Sequence, residues 1–250
     1  MVEVNSIKSM LHYELECGRG YYSGFKLEPK EVDLVKNLII QQWIAIIKQY
    51  DPLLWQQFAK RGIEKYHELS HLLNHELIWK KSNRIFSNKD AEAIRSMSLI
   101  KNLEKIYGPV IIVDEENVGY EEIDWRLVRP NQLSDIGPLH ADDWFLQLGH
   151  GVLPPPHRKA IKVWVALCCE PGLNGLQVVP HSQKKEWRYH GVYRHGFVKP
   201  QIDEDELQVQ LLHTFPGDAI VFHDKLLHAG ALNKGKNCRI SMEFMLFVNK

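Results

Sequence analysis

From Glu31 to Tyr50 the apolar residues Val32, Val35, Leu38, Ile39, Trp43, Ile46 and Ile47 recur close to a 3.6-residue period. That spacing predicts an amphipathic helix, which Asp51-Pro52 would stop. A second helical stretch is expected from about Leu53 to Trp79, with Gly62 as a break. A third is expected over Lys89–Tyr107, with Asn88 as its cap and Gly108 as its stop. After Gly108 the period changes. Short runs rich in β-formers follow one another at Pro109–Val113, Ile123–Val128, Ile161–Leu167, Gly175–Val179, Leu207–Thr214, Ala219–Phe222 and Arg239–Val248. Turn signals separate them, and no helical pattern is read between them.

Many short strands behind a helical segment predict a mainly β fold with a helical N-terminal layer. The expected architecture is a double-stranded β-helix, a cupin-like jelly roll. The helical layer is placed at 1–107 and the jelly-roll core at 108–250, together forming one structural domain. The last run alternates cleanly. Ile240, Met242, Phe244 and Leu246 would share one face, and Arg239, Ser241 and Glu243 the other.

Charge narrows the function classes. The 250 residues carry 31 Lys plus Arg against 31 Asp plus Glu, so no basic excess points to nucleic acid. No run of 18 apolar residues suggests a membrane span, and the N-terminus reads as no secretion signal. Four cysteines fit neither a disulfide framework nor a zinc ribbon. Reduced cysteines of this kind suit a cytoplasmic protein, with Cys168 and Cys169 on opposite faces of a strand. The partner expected is a small-molecule substrate; the oligomeric state is left open. The 13 histidines invite a search for a metal site.

His140-Ala141-Asp142 is the first candidate. On a strand, residues i and i+2 share a face, so an imidazole and a carboxylate can meet one ion. His-x-Asp alone is a weak signal in a histidine-rich chain. The C-terminal pattern strengthens it. Pro216-Gly217-Asp218 turns into the apolar strand Ala219–Phe222, His228 follows, and Arg239 comes eleven residues later. Two His and one carboxylate on one face of an ion leave three positions open, the facial triad of non-haem Fe(II) oxygenases. A 2-oxo acid can chelate there, and its distal carboxylate then needs a cation such as Arg239, with the Ser241 hydroxyl beside it.

These residues carry a resemblance. From about Arg126 to Phe247 the sequence resembles the phytanoyl-CoA dioxygenase family of Fe(II)- and 2-oxoglutarate-dependent oxygenases. The carrying segments are HAD at 140–142, VWVAL at 163–167, NGLQVVPHS at 174–182, FPGDAIVFHDKLLHAG at 215–230 and RISMEF at 239–244. The resemblance implies that His140, Asp142 and His228 hold Fe(II), with 2-oxoglutarate as cosubstrate and O2 as oxidant. It implies that Arg239 binds the 2-oxoglutarate carboxylate and that Trp164 lies near the cosubstrate. The reaction implied is hydroxylation with release of succinate and CO2. Related halogenases lack the acid at the position of Asp142, so halogenation is not expected. The family often reads PGSH where this chain has Pro180-His181-Ser182-Gln183, which leaves the role of that loop open. The substrate class is read as a small polar biosynthetic intermediate: a sugar, amino-acid or natural-product derivative. A second donor to 2-oxoglutarate is sought among Arg126, Arg129, Asn131 and Gln132.

Rival readings stand beside this one. His67-Glu68-Leu69-Ser70-His71 is a literal HExxH, which on a helix would place two imidazoles on one face of a zinc metallohydrolase. The extended form of that motif is missing, since Asn74 and Leu77 stand where Gly and His belong. A non-catalytic jelly-roll metal-binding module is the other alternative. His213 and His223 could support the site or simply pack, and His157 reads as an exposed loop residue. Trp144, Phe145 and Gln147 could wall a pocket. The basic and aromatic stretch 184–190 could be a lid or a solvated loop.

Overall fold

The computed structural model describes residues 2–194, 197–202 and 207–250. Its N-terminal part holds helix α1 (Val2–Glu16), strand β1 (Tyr21–Lys26) and the long helix α2 (Pro29–Tyr50). Short helices follow: α3 (Trp55–Arg61), α4 (Tyr66–Leu69), α5 (His75–Ile78), α6 (Asn88–Arg95) and α7 (Ser98–Tyr107). The remainder is β2 (Ile111–Ile112), β3 (Asp124–Val128), helix α8 (Asp143–Gln147), β4 (Arg158–Cys168), β5 (Leu176–Val178), β6 (His190–Arg194), β7 (Phe197–Gln201), β8 (Gln210–Leu211), β9 (Asp218–His223), β10 (His228–Gly230) and β11 (Arg239–Asn249).

Helix α2 ends where the sequence predicts, with the Asp51 amide donating to Ile47 O. At its start the Glu28 amide donates to Glu31 Oε2 at 3.0 Å. The Glu31 carboxylate also accepts from the Ser98 amide and hydroxyl, both at 2.7 Å, which pins α2 to the start of α7. The other two predicted helices are corrected. The 53–79 stretch breaks at Gly62 as expected, where φ is 85°, and a second time at the extended Leu73, which leaves three short helices joined by 3-10 turns. The 89–107 stretch breaks at Ser96–Met97, and its first piece is capped by Ser87 Oγ on the Asp90 amide rather than by Asn88.

The strands form a large antiparallel sheet ordered β1-β9-β4-β11-β2, with β3 also paired to β11, and a small antiparallel sheet ordered β10-β5-β8. β6 and β7 make a separate hairpin. β1 joins the sheet from the helical part of the chain, pairing Tyr21 with Phe222 and Phe25 with Ala219 across a bulge.

The large sheet has two different faces. Outward, β4 presents Ile161, Val163, Val165 and Leu167, and β11 presents Ile240, Met242, Phe244, Leu246 and Val248. These pack in the main core against Leu11 and Leu15 of α1, Val35, Ile39, Trp43 and Ile47 of α2, and Leu99, Ile100, Leu103 and Ile106 of α7. Inward, Trp164, Ala166, Ile220 and Phe222 meet Leu176 and Val178 of the small sheet. The alternation expected of 239–246 is therefore realised. A register shift sets Cys168 opposite Ile240 and Ala166 opposite Ser241, so Cys168 joins the outer core while Cys169 packs inward. All four cysteines are free thiols.

Candidate metal centre

His140 and His228 face each other. They form an isolated antiparallel bridge, with the His140 amide donating to His228 O at 3.1 Å and the His228 amide to His140 O at 2.8 Å. Their ring centroids lie 4.5 Å apart. The strand expected for His140–Asp142 is corrected: His140 has only this bridge, and Asp142 adopts helical dihedrals at the start of α8. The turn still carries the carboxylate to the imidazoles. Asp142 Oδ1 is 3.8 Å from Nε2 of His140 and 3.8 Å from Nε2 of His228. Among the described residues these three are the one grouping of His, Cys, Asp or Glu that could hold a metal ion, with ligand atoms within 4.8 Å of one another.

The backbone fixes the chemistry of both rings. His140 Nδ1 lies 2.9 Å from Pro138 O, and His228 Nδ1 lies 2.9 Å from Leu226 O. A carbonyl only accepts, so each Nδ1 carries the proton and each Nε2 offers a lone pair inward. Burial, then the neighbouring His228, pushes the His140 pKa down to about 4. Burial also works against the Asp142 carboxylate, but the Lys162 ammonium, followed by His228 and His140, more than offsets it and lowers its pKa. Asp142 Oδ2 is buried with no hydrogen-bond partner in the protein. Such an atom costs stability unless something binds it. Two inward lone pairs and an unpartnered carboxylate oxygen fit a divalent cation.

Arg239 and Ser241 point into the same interior from β11. Arg239 is buried; its Nη1 donates to Gly175 O at 2.6 Å, and its Nε has no partner. Burial lowers its pKa. The guanidinium lies flat against Gly230, two residues beyond His228, where a Cβ would sit 3.0 Å from Nη2. Ser241 Oγ is fully buried and also unpartnered. A guanidinium and a hydroxyl with unused donors fit a carboxylate. Trp164 is 2% exposed and stands opposite Glu243, on the wall between Arg239 and the outer end of β4.

The other predicted residues divide. Of the four candidate donors, Arg126 shares the side of the sheet with Glu243, to which it is paired through Nε at 2.9 Å and Nη2 at 2.8 Å, while 44% of its side chain stays open to solvent. Arg129 is engaged by Asp135 through both Nε and Nη2, and Asn131 and Gln132 are exposed. Phe145 sets its edge on the His140 ring at 5.3 Å. Trp144 stacks on Tyr189 at 4.5 Å, and the Tyr189 hydroxyl donates to Gln147 Oε1. That docks part of the 184–190 stretch on α8, while Arg188 and His190 stay exposed. The Pro180–Gln183 segment braces the site from behind: Ser182 Oγ accepts from the Leu227 amide at 2.8 Å, next to His228. His223 is held by Asp224 at 2.8 Å, and His213 and His157 are exposed.

The HExxH segment does not assemble. α4 ends at Leu69 and a 3-10 turn carries Ser70–Leu72, so the i, i+4 face is lost. His67 Nδ1 approaches Cys238 Sγ at 3.5 Å, Glu68 is bound by Arg61, and His71 is exposed.

Sequence reading missed Lys162. Its ammonium is bound by Glu115 at 3.1 Å and lies 8% exposed beside the triad. The available signal was a lysine interrupting the apolar strand Ala160–Leu167.

Solved structures with this fold include oxygenases. The carbocyclase SnoK of nogalamycin biosynthesis, described as non-heme and alpha-ketoglutarate dependent, superposes with a TM-score of 0.57 at 11% identity, over 96% of this chain and 83% of that one. The epimerase SnoN, solved with Fe3+, alpha-ketoglutarate and nogalamycin RO, gives 0.54 at 13% identity, over 98% and 84%. The non-heme monooxygenase ThoJ gives 0.52 at 15% identity, over 92% and 74%. No curated protein matches the sequence. No helix among the described residues is long and apolar enough to cross a membrane. The phytanoyl-CoA dioxygenase family model matches residues 58–241, well over half of the sequence. The chain thus belongs to the phytanoyl-CoA dioxygenase family of non-heme iron enzymes, whose cofactors are Fe(II), 2-oxoglutarate and O2.

Proposed function

We propose that the chain hydroxylates a small polar biosynthetic intermediate, a sugar, amino-acid or natural-product derivative, releasing succinate and CO2. His140, Asp142 and His228 are its metal ligands, and Arg239 and Ser241 its 2-oxoglutarate carboxylate site, with Trp164 as the wall between. The two sheets are read as the halves of a double-stranded β-helix, forming one structural domain with the helical layer. The observation that carries this reading is the approach of two imidazole Nε2 lone pairs to Oδ1 of Asp142, whose other oxygen, Oδ2, is buried with no hydrogen-bond partner.

Bound Fe(II), 2-oxoglutarate and O2 together supply an oxidant able to break a C–H bond. The protein supplies the rest. Pro138 O and Leu226 O hold both Nδ1 protons, so neither ring can turn its lone pair away. Arg239 and Ser241 orient the cosubstrate by its distal carboxylate. Phe222, 4.6 Å from the His228 ring, and Trp164 keep bulk water from the cosubstrate wall. The carboxylate of Asp142 fills the position that a halide would need, which disfavours halogenation.

Anaerobic addition of Fe(II) and 2-oxoglutarate tests the reading. A weak visible band at roughly 500 nm is expected, as for iron chelated by a 2-oxo acid. Admission of O2 is then expected to give succinate. No band and no succinate would overturn the oxygenase and favour a non-catalytic module. Because the fold also serves an epimerase and a carbocyclase, hydroxylation itself requires label from 18O2 in the product.

A further inference from the structure

The inward row of β11 runs from Arg239 through Ser241 and Glu243 to Met245. Alternate residues on a strand lie about 6.8 Å apart, so Arg239 and Glu243 are separated by roughly 13 Å of backbone. On β4 the facing inward positions are Ala166 opposite Ser241, Trp164 opposite Glu243 and Lys162 opposite Met245. The Arg239 end is closed by Gly175 and Gly230. Lys162 belongs to the other end, within electrostatic reach of both Asp142 and Glu243. A cosubstrate reaching from the triad towards Arg239 leaves this second end to the substrate.

That end is charged. Lys162 is bound by Glu115, and Arg126 by Glu243. The two pairs are built differently. Glu243 belongs to β11 and grips Arg126 by Nε and Nη2 across an adjacent strand, leaving Nη1 outside the pair. Glu115 comes from the loop between β2 and β3, which is held by its own turn: Asp114 accepts from the amides of Val118 and Gly119, and Asn117 lies at φ 58°. An ammonium has three donors, and Glu115 engages it at a single distance of 3.1 Å. Asp142, Glu243 and Asp124 act on this ammonium from further away, so Glu115 is its one direct ion-pair contact and the one whose removal leaves its donors unpaired. The identity of that anion is not set by the sheet.

We propose that Lys162, with the Nη1 side of Arg126, anchors an acidic group of the substrate, a carboxylate or a phosphate ester, and that Glu115 holds this anion position in the free protein. The substrate class thus narrows to a small polar acid. This rests on the metal-centre reading above.

The test uses the full chain loaded anaerobically with Fe(II) and saturating 2-oxoglutarate, with acetate and inorganic phosphate as probes in calorimetric titrations. Glu115→Gln is expected to bind a probe at least tenfold more tightly than the parent protein, since the internal competitor is gone. Lys162→Gln is expected to bind it at least tenfold more weakly, and Lys162→Arg to restore binding. The tighter probe tells carboxylate from phosphate. The visible band reports metal and 2-oxoglutarate loading separately and is expected in all three variants. Equal probe affinity across the variants overturns the anion site while leaving the metal centre standing. So does a Lys162→Gln variant that loses 2-oxoglutarate instead of the probe, because Lys162 then serves the cosubstrate. A parent protein with no band removes the metal-centre reading, and this proposal with it.

Discussion

The two faces of the large sheet are built from the same strands and obey opposite rules. Along β11, Ile240, Met242, Phe244, Leu246 and Val248 enter an apolar core, where each side chain is satisfied by contact alone. Between them, Arg239, Ser241 and Glu243 enter an interior where polar atoms remain without protein partners. The outer face buys the stability that the inner face spends on unsatisfied groups. Substitutions on the two faces are therefore expected to separate binding from folding.

The largest effect is expected on the inner face. His228→Ala removes one of three ligands; succinate formation is expected to fall by 10³-fold or more, about 4 kcal/mol of barrier. The visible band with Fe(II) and 2-oxoglutarate is expected to vanish with it. The metal-free protein is expected to unfold in urea within about 2 kcal/mol of the parent: the buried imidazole takes its hydrogen bond to Leu226 O with it, but no large apolar side chain is lost. A large loss of folding stability in His228→Ala would break the division between the faces.

The mirror experiment is Phe244→Ala, sixteen residues along on the outer face and 1% exposed. It is expected to cost about 3–5 kcal/mol in urea unfolding. Folded protein at low temperature is expected to keep the visible band, because Glu243 and Met245 on either side of it stay in register. Loss of the band in a folded variant would show that the faces are coupled.

This division also explains what could be read from sequence. The outer face was legible because the alternation of β11 and the 3.6-residue period of α2 are local patterns set by burial. The triad and Arg239 were legible through residue type and order, although Asp142 proved to open a helix and not to continue a strand. β1 was not legible. Tyr21–Lys26 carries a bulge, and its partner β9 lies almost two hundred residues away, so no local signal marks the pairing. The break at Gly62 was legible from residue type, but the second break at Leu73 and the one at Ser96–Met97 were not, because apolar spacing survives across them while the backbone turns. The hairpin of β6 and β7 was not among the expected strands, because its aromatic and basic residues follow no period. Lys162 was passed over because periodicity scores an apolar strand as a whole and ignores the one charged residue that its partners must explain.

Gly230 sharpens the comparison at a smaller scale, since it belongs to the small sheet and touches the inner row. A Cβ there would stand 3.0 and 3.1 Å from the two terminal nitrogens of Arg239. Gly230→Ala is expected to displace the guanidinium and weaken 2-oxoglutarate at least tenfold, about 1.4 kcal/mol or more. Metal binding, measured by calorimetry without cosubstrate, is expected to hold, because His228 keeps its Leu226 contact. An unchanged 2-oxoglutarate affinity would place the carboxylate elsewhere than on Arg239.

The smallest effect probes a polar group on the helical side. His75 is mostly buried, its Nδ1 3.1 Å from the Tyr66 hydroxyl and its Nε2 3.4 Å from Asp135. Burial pushes its pKa down to about 4; Asp135 pulls it upward, but Arg129 holds that carboxylate and opposes the pull. The imidazole is therefore neutral in the fold down to about pH 4, whereas an unfolded chain takes the proton near pH 6.5. Between those values the unfolded state binds more protons, so stability is complete above about pH 6.5 and falls as pH drops towards 4. From pH 7 to pH 5 this one group is expected to cost on the order of 1 kcal/mol. Urea unfolding of the zinc- and iron-free protein with and without His75→Gln isolates it, since a glutamine does not titrate. If the variant loses as much stability as the parent over that interval, the pH dependence does not come from His75, and the imidazoles that burial also holds below their ordinary value, His140 near 4 on the inner face and His67 on the helical side, are the ones to replace next. Binding of a metal ion would remove the His140 share, which His75 and His67 cannot feel.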